Sequence, residues 1–368
     1  MEFLRDRVLQ EDLEILVRGT ASMEPFPFGS LAGKTVLVTG ATGLIGSQIV
    51  LALACANQLQ GTDIHILALC RSREKAARVF GEMGESRDSR LTVLTGDVMN
   101  LPEYEGEIDY IIHGASPTSS RFFVEQPVQT IETALTGTQH VLELAAEKRV
   151  KGFVYLSSLE VYGVPQTGKE HVSEKDYGYI DPLQVRSSYS EGKRMAECLC
   201  AAFHGQYGVP VKIARLSQTF GPGVVYDDGR VFAEFARCAL EHKDIVLHTQ
   251  GGTVRTYLYT RDAVAGILQI LTAGVPGEAY NVTNEATRIS IRDMAQLVCR
   301  LIPSAGIQVL FDCPEDISSF GYNPEMVIAL NTGKLCALTG EGGYRWKAQV
   351  NMEEMYLRMM QSMSTTRQ

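Results

Sequence analysis

The stretch that most limits how this chain can fold is TVLVTGATGLIGSQIV, residues 35–50. Its first four residues, Thr35 to Val38, are apolar or β-branched and read as a buried parallel strand. Gly40, Gly43 and Gly46 follow at three-residue spacing, and an apolar helical pattern begins at once. Glycine permits a tight turn and lets backbone N–H groups approach a pyrophosphate, while the helix N-terminus adds partial positive charge. With 34 glycines in 368 residues the spacing alone carries little. Its position between a strand and a helix is what marks a nucleotide-binding turn. The expected cofactor contacts are Gly40, Thr42, Gly43, Leu44, Ile45 and Gly46.

Downstream, strand-like runs alternate with helical patterns. Strands are expected at 63–69, 91–94, 108–113, 152–156 and 209–216, with helices at 44–59, 74–84, 126–149 and 188–207. This βαβ alternation predicts an α/β protein with a Rossmann-type, doubly wound parallel sheet. After residue 217 the pattern is less regular, with a strand around 307–311, a loop of mobile character and a last helix from 351. A smaller C-terminal lobe closing over the first domain fits that stretch. The expected division is a helical extension over 1–30 and a dinucleotide domain over 31–217, to which 254–275 returns. The lobe takes 218–253 and 276–365. Leu4, Val8, Leu9, Leu13 and Leu16 make residues 2–18 an amphipathic helix, packed on its own domain or offered to a partner.

In such a sheet, ligands bind beyond the carboxyl ends of the strands. The second strand is followed by Cys70-Arg71-Ser72-Arg73, without the acid that bonds the ribose hydroxyls of NAD. Arg71 therefore leans toward the 2′-phosphate of NADP, against the alternative of a cation opening a solvated helix. Asp97 and Val98, after the third strand, either meet the adenine or cap a turn. Gly114, Ala115 and Ser116, after the fourth, are small enough for close approach by a cofactor, with Pro117 next toward the substrate. His113 reads at least as well as a satisfied core histidine.

Ser158 follows the fifth strand, and Tyr189 and Lys193 lie four apart on one helix face. Tyrosine is a weak base at its usual pKa of ~10. A lysine one turn away and a nicotinamide cation would lower that value, so Tyr189 would exchange a proton with a sugar hydroxyl that Ser158 also holds.

Composition excludes other classes. A net charge of −9 argues against nucleic acid and acidic membranes as main partners. No apolar run approaches the ~20 residues of a membrane helix, and the N-terminus lacks a signal-peptide pattern. The eight cysteines sit mostly among apolar neighbours without a C-x-x-C, as expected of a reducing cytoplasm, and no metal site is expected.

Together these motifs resemble the extended short-chain dehydrogenase/reductases, the NAD-dependent epimerase/dehydratase family, over residues 33–300. The UDP-glucuronate decarboxylase-like branch fits best, through SLEVYG (158–163), RSSYSEGKR (186–194), DGRV (228–231) and the stretch 251–257. The resemblance implies a nucleotide-sugar substrate, most readily a UDP-sugar, one tightly held NAD or NADP, and a homodimer through the helices at 126–149 and 188–207. It gives Arg186, Gln218, Arg230 and Arg255 as substrate contacts and Glu160 as a base or proton shuttle, with an ion pair as the alternative for Glu160. Forked guanidiniums suit diphosphate oxygens on physical grounds too.

Three departures stand out. Leu159 replaces the usual serine or aspartate and cannot donate a proton, Gln218 replaces an asparagine, and the acid after strand two is missing. The implied chemistry starts with oxidation at C4 of the sugar and leads to decarboxylation or epimerisation, with 4,6-dehydration as an alternative. An NADPH-dependent reductase of a small carbonyl compound is the reading from another class, and a non-catalytic nucleotide sensor is a third.

Overall fold

The β-branched and apolar runs along the first two-thirds of the chain become neighbouring strands of one sheet. The computed structural model describes residues 4–85, 90–165, 171–314 and 325–366, so the loop expected after residue 311 lies, over 315–324, outside the described residues. In chain order the first strands are β1 (Thr35–Thr39), β2 (His65–Cys70), β3 (Leu91–Thr95), β4 (Tyr110–His113), β5 (Gly152–Ser158) and β6 (Val211–Leu216). After them come β7 (Gln218–Phe220), β8 (Ile245–Leu247), β9 (Val254–Tyr259), β10 (Ala279–Val282), β11 (Asn284–Ser290), β12 (Val309–Phe311) and β13 (Val327–Ile328).

The helices begin with α1 (Arg7–Arg18), α2 (Leu44–Gln60), α3 (Arg73–Glu85), α4 (Ser120–Glu125), α5 (Pro127–Glu132) and α6 (Thr138–Lys148). They continue with α7 (Ser187–Tyr207), α8 (Val231–Glu241), α9 (Thr260–Ala273), α10 (Ile291–Leu301), α11 (Gly333–Cys336) and α12 (Met352–Thr366). Among the described residues no helix is long and apolar enough to cross a membrane.

Seven parallel strands form the main sheet in the order β10-β6-β5-β4-β1-β2-β3. The chain thus winds outward from β1 in both directions, and the loops after β1 and β4 diverge, leaving the crevice of a doubly wound sheet. Near-continuous burial of β1, β2 and β5 explains why these strands read as apolar runs rather than alternating ones. One face packs on α2 and α9, with α1 laid over those helices, and the other on α6 and α7. The single helix expected over 126–149 is α5 and α6 joined by a π-turn, Thr133–Gly137. That turn sets Gly137 against Val98, where a Cβ would stand 2.7 Å from the valine methyl.

The expected boundaries change in two places. β10, expected in the smaller lobe, pairs with β6 as the seventh strand of the main sheet. The stretch expected to return to the first domain divides: α9 packs under the main sheet, whereas β9 is the hub of a second sheet with β7, β11 and β13. The reason is pairing, since each strand goes where backbone N–H and C=O groups are free to be satisfied. The second sheet, α8, α10 and α12 share a core of Phe220, Phe232, Tyr356 and several methionines.

Helix α1 belongs to this body. The Asp6 carboxylate caps it by accepting the N–H groups of Val8 and Leu9. Asp12, buried on α1, accepts from Arg261 (3.0 Å), Arg358 (3.0 Å) and the Tyr259 hydroxyl (2.5 Å). The first and last helices are thereby tied together over α9.

Candidate functional site

The turn between β1 and α2 is built as its glycines require. Gly40 has φ +66°, and a Cβ there would stand 2.8 Å from the Gly114 backbone. A Cβ on Gly46 would run into the Gly40 carbonyl oxygen, so α2 sits as close to the strand end as backbone allows. Gly43 starts α2 without a side-chain cap and is exposed, while Thr42, Leu44 and Ile45 are half-buried. An anion on the first N–H groups of α2 fits this cradle.

At the neighbouring strand ends, Arg71 is 85% exposed and its Nε lies 3.9 Å from Asp97. Asp97 caps a turn by accepting the Met99 N–H (2.9 Å), and Val98 is buried, its carbonyl facing His140 (3.0 Å). Beyond β4, the Thr39 hydroxyl accepts the N–H groups of Gly114 and Ala115, both at 3.2 Å. With both contacts accepting, its own proton goes to His113 Nδ1 (2.7 Å), and His113 Nε2–H is left to face Thr138 (3.0 Å). Burial, and then the Lys193 charge, push His113 down to about 3, so it is a neutral core histidine. Its work is to hold the Gly114–Ser116 loop against the glycine turn. The Ser116 hydroxyl donates to the Pro117 carbonyl at 3.1 Å.

Ser158, Glu160, Tyr189 and Lys193 come together where β5 meets the start of α7. Ser158 Oγ accepts the Glu160 N–H (3.2 Å) and is a hydrogen-bond partner of the Tyr189 phenol. Lys193, buried, donates to the Leu156 carbonyl (2.8 Å), and its ammonium lies 5.9 Å from the centre of the Tyr189 ring. Burial lowers Lys193 to about 8, opposed by Glu197. The expected depression of Tyr189 is not what the protein's own groups produce. Burial and the Glu160 charge push the phenol up to about 12, against the smaller pull of Ser158, Arg186 and Arg230. Tyr189 is therefore a protonated phenol at neutral pH.

Glu160 is gripped. Arg186 Nη1 donates to Oε2 (3.0 Å) and Nη2 to Oε1 (2.8 Å), and Ser190 Oγ donates to Oε2 (2.9 Å). Burial would raise this carboxyl, but the Arg186 charge and hydrogen bonds, Arg255 and Ser190 outweigh it and hold it below the usual carboxylate range. Leu159 lies 3% exposed in a cluster with Val161, Tyr162, Val172, Ile328 and Leu330. Position 159 therefore offers packing and no proton.

Two more arginines complete one wall. Arg230 forks onto Asp228 (2.5–3.1 Å) with its guanidinium 4.7 Å above the Phe232 ring, and its charge is felt at Tyr189. Arg255, on β9, is felt at Glu160, and its Nε is buried without a hydrogen-bond partner among the described residues. Gln218 Oε1 is likewise buried and without one among the described residues. The structure thus gathers Ser158, Glu160, Tyr189, Lys193, Arg186, Arg230 and Arg255. Arg71 and Asp97 stand at the ends of β2 and β3, on the far side of the glycine turn.

Two residues of the site escaped the sequence argument. Phe123 of α4 stacks on Tyr189 with centroids 4.1 Å apart and 12° between planes, and Arg186 lies 4.9 Å from the same phenylalanine ring. Nothing local in the sequence signals that contact, because α4 and α7 meet only in the fold. Ser190 had a signal, its place next to Tyr189 on the turn that faces β5.

Comparison with known proteins agrees with this fold. The sequence profile of the NAD dependent epimerase/dehydratase family matches residues 36–283. UDP-glucuronic acid decarboxylase 6 of Arabidopsis thaliana is 32% identical over 308 residues, 81% of this chain and 85% of that protein. The crystal structure of UDP-glucuronic acid 4-epimerase from Bacillus cereus in complex with NAD aligns with TM-score 0.72 and 21% identity, covering 91% of this chain and all of that one (100%). UDP-glucose 4-epimerase of Thermotoga maritima, solved with UDP-glucose, aligns with TM-score 0.74 and 18% identity over 91% of this chain and 100% of its own. At such identities the two structures speak for the fold.

Proposed function

The chain belongs to the NAD dependent epimerase/dehydratase family, and on that premise we propose that it is a nucleotide-sugar-modifying enzyme using NAD(P), with a UDP-sugar as substrate. The observation that carries this is the meeting of Ser158, Tyr189 and Lys193 with the Glu160–Arg186 pair beside a glycine turn shaped for a dinucleotide. NAD(P), when bound, accepts and returns a hydride at its nicotinamide ring. Gly40 to Gly46 would hold its diphosphate, and Gly114, Ala115 and Ser116 its nicotinamide half.

The chain's own residues then have these tasks. Ser158 and Tyr189 hold the oxygen at sugar C4 between them, and Tyr189 exchanges the proton of that oxygen. Lys193 places positive charge behind the phenol. Arg230 and Arg255, with Gln218, take the diphosphate across the cleft, and Arg186 with Pro117 borders the sugar. Glu160 stays in the site as a carboxylate. A ketone at C4 turns a C6 carboxylate into a β-keto acid that loses carbon dioxide, and the enolate left across C4 and C5 takes a proton from water at C5 before the ketone is reduced, which is a UDP-glucuronate decarboxylase-like outcome. The relatives at 32% identity carry that name, which favours it over epimerisation.

The smaller lobe, from β7 to α8 and from β11 onward, supplies the sugar-nucleotide side of the cleft in this reading. A homodimer is part of it as well. Val128 and Ile131 on α5 and Met195 on α7 are exposed on adjoining helices, an apolar face that a second copy would cover. So is a cytoplasmic location, which the eight free cysteines suit.

Incubation of the purified protein with NAD+ or NADP+ and UDP-glucuronate, UDP-glucose or UDP-N-acetylglucosamine, read by mass spectrometry and proton NMR, tests the function. Loss of carbon dioxide from the glucuronate is expected. An unchanged mass with altered ring couplings establishes an epimerase, and no change in any nucleotide sugar defeats the proposal.

A further inference from the structure

We infer that the first and last helices, α1 and α12, belong to the substrate site. Through Asp6 and Ser362 they set the backbone corner between Gln218 and Arg230, and with it the grip on the diphosphate of the nucleotide sugar. The inference rests on the nucleotide-sugar reading above and adds positioning residues to it. Both helices lie outside residues 36–283, the part of the chain that the family profile matches.

The corner is Gly221-Pro222-Gly223, where β7 gives way to the loop that leads to α8. It is held on three sides. A Cβ on Gly221 would stand 2.5 Å from Thr260 Oγ1 and 2.8 Å from the Tyr259 ring, so this residue lies flat on the end of β9. The Pro222 carbonyl accepts from Gln48 Nε2 of α2 at 2.6 Å. The Gly223 N–H donates to Ser362 Oγ of α12 at 3.0 Å. Gly223 has φ +83°, which suits glycine, and without a side chain its backbone is what a neighbour can hold.

Ser362 is one link of a chain. It is buried and donates its own proton to Asp6 Oδ2, while Asp6 Oδ1 caps α1 through the N–H groups of Val8 and Leu9. A hydroxyl whose proton goes to a carboxylate is a better acceptor for the next donor, so the Asp6 charge reaches Gly223 through Ser362. A second tie arrives independently. The Tyr259 hydroxyl donates to Asp12 of α1 and accepts from Arg358 Nε of α12 (2.8 Å), and Tyr259 pairs with Phe220 where β9 joins β7. The two helices thus hold both the corner and the strand end beneath it.

What the corner carries gives this hold a purpose. Gln218 precedes it on β7, and Arg255 lies beside it on β9. Beyond it the loop runs to Asp228, whose carbonyl accepts from Arg237 Nη1 (2.6 Å), and ends at Arg230. Those are the three side chains that take the diphosphate in the reading above. A corner that shifts changes the spacing of Gln218 and Arg230, whereas Ser158, Tyr189 and Lys193 stand on β5 and α7, away from it.

Titration calorimetry on the whole chain, with UDP and separately with whichever of NAD+ and NADP+ the wild type binds tighter, tests the inference. Ser362→Ala is expected to weaken UDP about three- to tenfold, the weight of one buried hydrogen bond, and to leave dinucleotide affinity within about twofold. Asp6→Asn keeps an oxygen for the α1 cap and takes away the carboxylate. It is expected to weaken UDP in the same direction, and it carries the test if Ser362→Ala does not fold. Val141→Ala, in the core under α6, controls for lost stability and is expected to bind UDP as the wild type does. UDP bound by Ser362→Ala or Asp6→Asn as tightly as by the wild type overturns the inference and leaves the nucleotide-sugar reading standing. An equal loss of UDP affinity in Val141→Ala, or an equal loss of UDP and dinucleotide in Ser362→Ala, overturns it too. A wild type that binds no UDP removes that reading and the inference with it.

Discussion

Arg186 meets Glu160 fork to fork, Nη1 to Oε2 at 3.0 Å and Nη2 to Oε1 at 2.8 Å, across 26 residues of chain. The pair fastens the start of α7, which carries Tyr189, to the turn that follows β5, which carries Ser158. The two hydroxyls of the site are therefore set by an ion pair beside them.

This coupling has a pH signature. Glu160 titrates in the folded protein below its unfolded value of ~4.3, so between those two values the unfolded chain binds more protons. The stability it contributes is complete above pH ~4.3 and is lost as pH falls through the lower folded value. Glu160→Gln, which unpairs Arg186, is expected to cost about 1–3 kcal/mol at neutral pH and to flatten the decline of Tm on the acid side. Calorimetry at a series of pH values checks it. An acid-side slope equal to that of the wild type would show that the carboxylate is not gripped.

Tyr189→Phe removes one hydroxyl and keeps the ring stacked on Phe123. Turnover is expected to fall by about 10²–10⁴-fold, the usual weight of a positioned proton donor. Dinucleotide affinity and Tm should change little. Steady-state rates beside a cofactor titration separate the two, and loss of cofactor binding would argue against a role in proton transfer.

Two glycine substitutions should act in opposite directions. Gly46→Ala puts a methyl into the Gly40 carbonyl, which strains the cradle by about 1–3 kcal/mol and weakens dinucleotide binding. Gly205→Ala, inside α7 with open space around it, should stabilise by about 0.5–1 kcal/mol through helix propensity. Chemical denaturation measures both, and equal effects would refute the close packing of α2 on the strand end.

Asp12→Ala is expected to cost about 3–5 kcal/mol, because it leaves the Arg261 guanidinium buried and removes a partner of Arg358. Asp12→Asn, which keeps acceptors for both arginines, should cost less. Denaturant midpoints of the two variants give the comparison, and a negligible loss in Asp12→Ala would mean that α1 contributes little to the body.

The main sheet was legible because β1, β2 and β5 are buried runs bounded by glycine or polar turns, patterns that depend on neighbours in sequence. The meeting of Ser158, Tyr189 and Lys193 was legible through one helix turn and one strand end. What stayed hidden depends on partners distant in the chain. Ala279-Tyr280-Asn281-Val282 looks the same beside β6 as it would in a small lobe, since a four-residue strand does not name its neighbour. Phe123 reads as one more helical apolar residue until α4 is laid on α7. The upward push of the protein's own groups on Tyr189 stayed hidden because a sequence shows the lysine four residues on and not the Glu160 charge or the degree of burial.

The bond between Asp12 and Arg358 spans 346 residues. At ~5–20 residues per second on the ribosome, α1 emerges roughly 17–70 s before the helix that completes its partners. Through that interval α1 can already lay its apolar stripe on α2 and then α9, and only its polar ties to α12 wait for the far end of the bond.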